Sequence, residues 1–199
     1  MQYVTDEPEN TLSSPVIVLP LLSRKARETC KTMLLVVSLY CLVNLATARF
    51  VVEGASMSPN FYTDQFIIVN RLAYMFGTPA RGDVVVFHNP EDPSHDFIKR
   101  LIGLPGETVR INGGRISIDG KPVEEPYVAA LCQDKRCDGQ WTLDANHYFV
   151  LGDNRSHSHD SHSFGPLDQS LIIGLAWIRY WPPEDWGVIT HYNYGLAAH

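Results

Sequence analysis

A serine and a lysine in this chain could together perform nucleophilic catalysis. Ser56 lies in the stretch EGASMSPNF, and Lys99 lies in FIKRLIGLPG. A serine hydroxyl is a weak nucleophile until a neighbouring group accepts its proton. A lysine can be that group once burial lowers its pKa from about 10.4 to about 7 or 8. The pair suggests a hydrolase, although EGASMSPNF alone is typical of an ordinary surface turn.

The residues around Lys99 bear on whether it is buried. If residues 97–104 form a strand, Lys99 shares one face with Phe97 and Leu101, and Arg100 shares the other face with isoleucines. One of the two cations must then lie among apolar neighbours. The alternative is an exposed lysine on an edge strand, and this segment alone does not decide between the two.

Histidine is the more familiar base, and three of the eight histidines cluster in RSHSHDSHSF as His157, His159 and His162. Two rings in an H-x-H pattern point to one face of an extended segment, which suggests a metal site, but no other feature supports a specific metal. We favour a solvated polar loop. The sequence predicts neither a metal nor another cofactor, and no histidine as the catalytic base.

Composition limits the classes of function. The chain has 199 residues, of which 45% are hydrophobic and 19% charged, with a formal net charge of −6. That length suits one moderate domain with an appendage. A nucleic-acid partner is not expected, because phosphate contacts require clustered Lys and Arg.

The most apolar stretch, residues 32–48, predicts a membrane anchor over 32–49. It carries no charge and would rise about 25 Å as a helix, a short span for a hydrocarbon core of about 30 Å. One alternative is a buried core helix. Another is a cleaved signal peptide ending at Ala46-Thr47-Ala48, but the long preceding segment and the length of the run favour an uncleaved anchor.

The charges that flank the anchor predict its orientation. Basic residues concentrate before it, at Arg24, Lys25, Arg27 and Lys31, whereas Arg49 alone follows closely. Since positive charge stays in the cytoplasm, residues 1–31 form a cytoplasmic tail and residues 50–199 lie outside. We therefore expect a single-pass protein of the cell membrane with membrane lipid as a partner.

Residues 50–199 predict a mostly β domain. Short runs rich in branched and aromatic residues are bounded by Gly, Pro, Asn or Asp, as in QFIIVNRL, DVVVFH, YFVLGD and SLIIGLAWIRYW. Asn112-Gly113-Gly114 between alternating segments predicts a hairpin. Residues 124–146 are polar and irregular, which indicates a long connection or a small insertion.

Two of the four cysteines, Cys132 and Cys137, lie in this outer domain as CQDKRC. A disulfide is permitted outside the cytoplasm, and closing so short a loop contributes about 2 kcal/mol in the chain-entropy model. Free thiols and half of a zinc site are the alternatives, but a second Cys pair for zinc is missing. We favour the disulfide.

Taken together, the chain resembles the type I signal peptidases, membrane-anchored Ser-Lys proteases that remove signal peptides from exported proteins. Four segments match in order behind the anchor: VEGASMSP (52–59), RGDVVVF (81–87), FIKRLIGLPGETV (97–109) and YFVLGDNRSHSHDSHSFGPL (148–167). The resemblance implies a catalytic domain of two antiparallel sheets. It also implies that preprotein signal peptides bind in extended form along a sheet edge, with small residues at the first and third positions before the cut.

The resemblance also assigns roles to individual residues. Ser56 is the nucleophile, Lys99 the base, and Ser158 the hydroxyl that hydrogen-bonds and orients the lysine. The supporting residues are Asp153, Arg155 and Asp160. The Ser56 backbone N–H forms part of the oxyanion hole. Many relatives have a serine as second donor where this chain has Gly54, so a backbone N–H or a water replaces it.

One departure from the family pattern is His162, which stands where an arginine is usual. That arginine pairs with the nearby carboxylate, so the Asp160–His162 pair is expected to respond to pH. Three alternatives differ in setting or class: a self-cleaving Ser-Lys repressor, which needs a DNA-binding domain; an organellar relative, which needs an Arg-rich N-terminus; and an anchored, non-catalytic β domain that binds a metal or partner through His157, His159 and His162.

Overall fold

The computed structural model describes residues 24–192, which divide into two compact units at the boundary between Tyr40 and Cys41. Helix α1 (Arg24–Ala46) has no buried residue, and an 18-residue window within it has a mean hydropathy of 1.6, so the helix is long and apolar enough to cross a membrane. The helix begins before the predicted anchor at residue 32. It ends at Ala46, and residues 47–49 lie in a strand instead. Residues 1–23, most of the predicted tail, lie outside the described residues.

Twelve strands and two further short helices follow α1 in the described part of the chain. They are β1 (Thr47–Val51), β2 (Phe66–Asn70), α2 (Ala73–Phe76), β3 (Val84–His88), β4 (Asp96–Gly103), β5 (Thr108–Asn112), β6 (Arg115–Ile118), β7 (Lys121–Pro122), β8 (Gly139–Thr142), β9 (His147–Leu151), α3 (Ser161–Phe164), β10 (Leu167–Asp168), β11 (Ile172–Trp181) and β12 (Gly187–Val188).

The strands form two antiparallel sheets, which confirms the predicted fold class. The larger sheet has the order β1-β2-β11-β3-β4-β9-β10, with β12 paired to β11. The smaller sheet has the order β7-β6-β5-β8. Apolar side chains fill both faces of central strand β3, because Val84 and Val86 join one hydrophobic cluster while Val85 and Phe87 join another.

The predicted hairpin joins β5 and β6. Asn112 pairs with Arg115, and the two residues between them, Gly113 and Gly114, have φ values of 55° and 74°. Glycine reaches this left-handed region without a steric penalty, and two such residues in succession match the twist of the flanking strands.

The segment 124–146 is more ordered than its composition predicts. Strand β8 lies within it and pairs with β5, and the Trp141 ring lies 4.7 Å from the Phe149 ring, centroid to centroid. Contacts distant in sequence hold this strand, so a local pattern does not reveal it.

Cys132 and Cys137 are joined by a disulfide in the structure, and both residues are buried. Their Cα atoms lie 6.3 Å apart. A short 3-10 turn, Lys135–Cys137, brings the second cysteine back towards the first, and Asp134 caps it by accepting a hydrogen bond from Arg136 N–H.

We expect Cys132 and Cys137 to resist alkylation in unreduced protein and to react after reduction. Cys30 is a free, exposed cysteine and provides the internal control for reagent access. Mass analysis of peptides from detergent-solubilised protein measures both states. Alkylation of all the cysteines without reductant would contradict the bridge.

Candidate active site

Ser56 lies in a tight turn, residues 53–60, that directly follows the first strand of the larger sheet. Met57 is 1% exposed and anchors the turn in the core, while Ser58 N–H donates to the Ala55 carbonyl over 3.1 Å. Loop 152–160 holds the turn from the other side, since Asn154 donates its backbone N–H to the Ser56 carbonyl and its amide to that of Ala55. The Ser56 hydroxyl is therefore carried on a fixed backbone.

Strand β4 places Lys99 beside this hydroxyl. A hydrogen bond of 2.8 Å joins Lys99 Nζ to Ser56 Oγ, and Nζ also donates to the Ile98 carbonyl over 3.1 Å. Lys99 is 4% exposed, and its burial lowers the pKa of the amine to about 8, although Asp160 and Asp153 act in the opposite direction. About a tenth of this amine is therefore neutral at pH 7, far more than for an exposed lysine, and the neutral form can accept a proton.

The neighbouring cation is buried as well, which the alternation argument left open. Arg100 is 1% exposed, and its guanidinium donates two hydrogen bonds to the Asp153 carboxylate, of 2.9 and 2.7 Å. Asn60 donates a third hydrogen bond to the same carboxylate. Asp153 thus neutralises Arg100 and ties strand β4 to loop 152–160.

A second buried ion pair supports the same loop. Arg155 donates to the Gly152 carbonyl over 3.0 Å and pairs bidentately with Glu125, a partner that sequence reasoning missed. The Glu125–Arg155 pair keeps the pKa of Arg155 raised against the effect of burial. A buried arginine requires a carboxylate, but sequence spacing alone does not identify which one.

Asp160 organises the end of loop 152–160. Its carboxylate accepts hydrogen bonds from Gly152 N–H over 2.9 Å and from His162 Nδ1 over 2.6 Å, and the first of these contacts places it close to the dyad. The hydrogen bond to Asp160 raises the pKa of His162. The histidine therefore keeps its charge beside Asp160 to a higher pH than a free imidazole would.

Gly152 permits the close packing of these parts. A Cβ atom on Gly152 would lie 2.2 Å from Ser158 Oγ and 2.4 Å from the Ser56 carbonyl oxygen, so any side chain would push the two loops apart. The sequence gives no reason to single out this glycine from the others.

The expected hydrogen bond from Ser158 to Lys99 is not formed. Ser158 Oγ is buried and has no hydrogen-bond partner in residues 24–192. The amine of Lys99 is oriented by the Ile98 carbonyl and the Ser56 hydroxyl, while Ser158 lies against Gly152 at the same junction.

The residues proposed for an oxyanion hole lie at the open side of the turn. Ser56 N–H donates no hydrogen bond within the described residues and is therefore available to a ligand. Gly54 has a φ of 79°, a conformation that disfavours side chains, and the space beside its Cα is open. Its carbonyl accepts a hydrogen bond from Thr63 Oγ1.

A cleft of about 440 Å³ leads to Ser56 and Lys99. One wall is the end of β1 with the turn after it, and the other is residues 94–99. Both walls carry strand edges that are free within residues 24–192: there β1 pairs only with β2, and β9 begins its pairing with β4 at Arg100, beyond the cleft. Apolar residues that line the cleft include Val52, Ile67, Val86 and Ile98.

A family model described as "Signal peptidase, peptidase S26" matches residues 26–181 of this chain. The chain belongs to this signal peptidase family. A signal peptidase I of Leptolyngbya laminosa is 42% identical over 153 residues, or 72% of each chain. A signal peptidase I of Bacillus caldolyticus is 38% identical over 147 residues, covering 68% of this chain and 80% of that protein.

Among solved structures, a signal peptidase I from Enterococcus faecalis V583 is 34% identical. Its alignment covers 49% of this chain and 96% of that chain, with a TM-score of 0.44. The assignment to the signal peptidase family depends on the sequence matches, which extend over both sheets.

The three histidines of the cluster in this member of the signal peptidase family have separate partners. His157 lies by Ser156 Oγ, His159 pairs with Glu91, and His162 pairs with Asp160. Within residues 24–192, no three potential ligands from His, Cys, Asp and Glu are grouped closely enough to hold a metal ion.

With Lys99 as the base for Ser56, we expect preprotein cleavage to rise about tenfold per pH unit on the acid side and to level off above about pH 8, the pKa of the amine. Lys99→Arg should be inactive at every pH, since guanidinium stays protonated. Initial rates of preprotein cleavage over the pH range test both. An acid limb centred near the histidine value of about 6.5 would point to another base.

We expect Asp153→Ala to destabilise the protein by about 3–5 kcal/mol, because it leaves the buried Arg100 guanidinium without its charge partner. Denaturant unfolding of the full chain in detergent measures the loss. Asp144→Ala is the matched control: its side chain is 90% exposed, so its effect should stay within about 0.5 kcal/mol. Equal stability of the two variants would refute this role of Asp153.

Proposed function

We propose that this protein is a membrane-anchored serine endopeptidase that removes N-terminal signal peptides from exported preproteins after small residues. Ser56 is the nucleophile and Lys99 the general base. Family membership supports signal-peptide removal as the activity. The observation that carries the mechanism is the 2.8 Å hydrogen bond between a buried lysine amine and the serine hydroxyl at the end of an open cleft.

In the first half-reaction, the neutral amine of Lys99 takes the proton of Ser56 Oγ as the oxygen attacks the scissile carbonyl carbon. The resulting oxyanion accepts a hydrogen bond from Ser56 N–H, which has no competing acceptor in the described residues. The Lys99 ammonium then protonates the departing amine, the peptide bond breaks, and the mature protein leaves. An acyl-enzyme on Ser56 remains.

In the second half-reaction, water takes the place of the departed amine. Lys99, neutral again, removes a proton from this water as it attacks the acyl carbonyl. The second tetrahedral intermediate collapses when the ammonium returns the proton to Ser56 Oγ. The carboxylate of the signal peptide is released, and the dyad is restored without a metal or cofactor.

The cleft supports binding of an extended peptide. The free edges of β1 and of residues 96–99 on strand β4 offer main-chain donors and acceptors on both sides of a bound strand. Apolar side chains from both walls and the sheet beneath, including Val52 and Ile98, leave room for small residues next to Ser56. We therefore propose Ala-like residues immediately before the cut and two residues earlier.

Gly54 alters the oxyanion hole in a definite way. Because it has no side-chain hydroxyl, the hole depends on Ser56 N–H and on a further backbone N–H or water in the open space beside Gly54. Backbone donors carry no side-chain entropy and stay in place as the oxyanion develops.

We propose that α1 anchors the enzyme, with residues 1–31 in the cytoplasm and residues 50–199 outside. Membrane lipid is a partner of the outer domain as well, since Trp177, Trp181 and Trp186 are 44%, 51% and 74% exposed. Tryptophan favours the membrane interface. A nucleophile close in sequence to the anchor suits a substrate whose scissile bond lies just beyond its own apolar helix.

The deciding experiment incubates the detergent-solubilised full chain with a bacterial preprotein that has Ala at both specificity positions. We expect one cleavage, at the signal-peptide junction, identified by the mass of the mature product. Ser56→Ala should abolish it. Ser58→Ala is the matched control, because its hydroxyl lies in the same turn and makes only a long hydrogen bond of 3.5 Å, to the Phe61 carbonyl, within the described part of the chain.

Substrate variants test the specificity in the same assay. Replacing Ala at either position by Leu or Lys should reduce cleavage by at least about 100-fold, as expected when a side chain no longer fits its pocket. Cleavage that tolerates large or charged residues at both positions, or that persists in Ser56→Ala, would overturn the proposal.

A further inference from the structure

His159 lies at the edge of the cleft and connects two segments of the outer domain, residues 50–199. Its ring packs edge-on against Phe97 and Phe164, with centroid distances of 6.3 and 5.7 Å. Its Nε2 atom lies 2.6 Å from the Glu91 carboxylate, in the loop of residues 89–95 that connects β3 and β4. An exposed histidine is thus fixed at both its apolar face and its polar end.

Phe97 carries this arrangement to the dyad. Lys99 Nζ lies 5.0 Å from the centroid of the Phe97 ring, and Phe97 is only partly buried. Its position over the amine therefore depends on what packs against its outer side. His159 provides that packing from loop 152–160, and Phe87 provides it from strand β3 with a ring distance of 6.1 Å.

We propose that Glu91 and His159 act together as positioning residues for the general base: Glu91 holds the His159 ring, and that ring keeps Phe97 over the Lys99 amine and excludes water from it. This inference rests on the proposed function of the dyad. The loop 89–95, which carries Glu91, thereby takes part in the reaction without touching the substrate or the reacting atoms. The same holds for His159.

The direction of the effect separates this role from a purely electrostatic one. Burial is the main cause that lowers the pKa of Lys99, while the charges of Asp160 and Asp153 raise it. Admitting water would move the pKa of Lys99 upwards. Removing the Glu91 carboxylate by itself would move it downwards if charge were the cause, since a nearby anion favours the ammonium.

Other titratable groups lie around this part of the cleft, and the variants used in the test must leave them unchanged. The loop 89–95 and its flanks contain two further His–carboxylate pairs, and loop 152–160 contributes one more histidine to the cleft wall. These groups are His88, Asp92, His95, Asp96 and His157.

The test compares the pH dependence of kcat/KM in His159→Ala, His159→Phe and Glu91→Ala with that of the wild type. We expect the acid limb of His159→Ala to move to higher pH by about half a unit or more, which is about threefold in rate at pH 7, with the alkaline plateau kept. Glu91→Ala should move it in the same direction by a smaller amount. His159→Phe, which keeps a ring but loses the contact with Glu91, should move the limb no further than Glu91→Ala does.

Three results would overturn the inference: an unmoved limb in both alanine variants, a shift to lower pH in Glu91→Ala, or a shift in His159→Phe as large as in His159→Ala. A loss of rate at all pH values without a shift indicates a structural role only and also counts against it. His147→Ala is the control for loss of a histidine near carboxylates elsewhere, at Asp144 and Asp168, and should not move the limb. If His159→Ala does not fold, Glu91→Ala decides, because Glu91 is exposed.

A readout without turnover keeps this inference separate from the proposed function. Trace acetylation of lysines over a pH series, followed by mass spectrometry, gives the neutral fraction of Lys99 in each variant. We expect the same upward movement of the Lys99 midpoint in His159→Ala even if no preprotein is found to be cleaved. An unchanged midpoint there would refute the positioning role whatever the cleavage assays show.

Discussion

Lys99 and Arg100 are adjacent cations on strand β4, and both are buried. The rest of the site depends on how each buried charge is compensated. Arg100 receives a full charge partner, because the Asp153 carboxylate meets its guanidinium with two hydrogen bonds. Among the described residues, no carboxylate lies within hydrogen-bond distance of Lys99, whose amine contacts a hydroxyl and a carbonyl instead. Asp153 therefore keeps the buried Arg100 charged, whereas burial without such a partner lowers the pKa of Lys99.

Loop 152–160 turns this difference into a site. It supplies Asp153 to Arg100, holds the nucleophile turn through Asn154, and contacts that turn closely at Gly152. Its own shape is stabilised by the Arg155–Glu125 pair and by Asp160, which accepts a hydrogen bond from Gly152 N–H. The carboxylates near Lys99 are thus already committed to other donors, which limits their ability to hold the lysine in its charged form.

Alternation and turn residues predicted most of the strands, because β2 to β6, β9 and β11 are bounded by Gly, Pro, Asn or Asp and carry their own pattern. The proximity of Ser56 to Lys99 followed from the resemblance of their two segments to the family, because the apolar neighbours of Lys99 alone also allow an exposed lysine on an edge strand. Strand β8 could not, because its partners lie elsewhere in the chain. The apolar run to residue 48 does not reveal that α1 ends at Ala46, because nothing in it shows that β2 pairs with Thr47–Val51.

The contacts that the site residues make with other residues were harder to predict than the site residues themselves. Glu125 stabilises Arg155 from a segment with no strong local pattern, and Ser158 packs against Gly152 without bonding to Lys99. Such contacts depend on angstrom-level placement of loops, on which residue types and spacing carry little information. His159 and Glu91 meet for the same reason, although 68 positions separate them.

The central claim is that burial lowers the pKa of the Lys99 amine to about 8, and NMR titration of the resting protein tests it directly. Lysines labelled with ¹³C at Cε report their own protonation, Lys99→Arg assigns the signal, and the other lysines, all exposed, serve as references. The account predicts a midpoint for Lys99 at about 8. A midpoint at the ordinary lysine value of about 10.4 would contradict it.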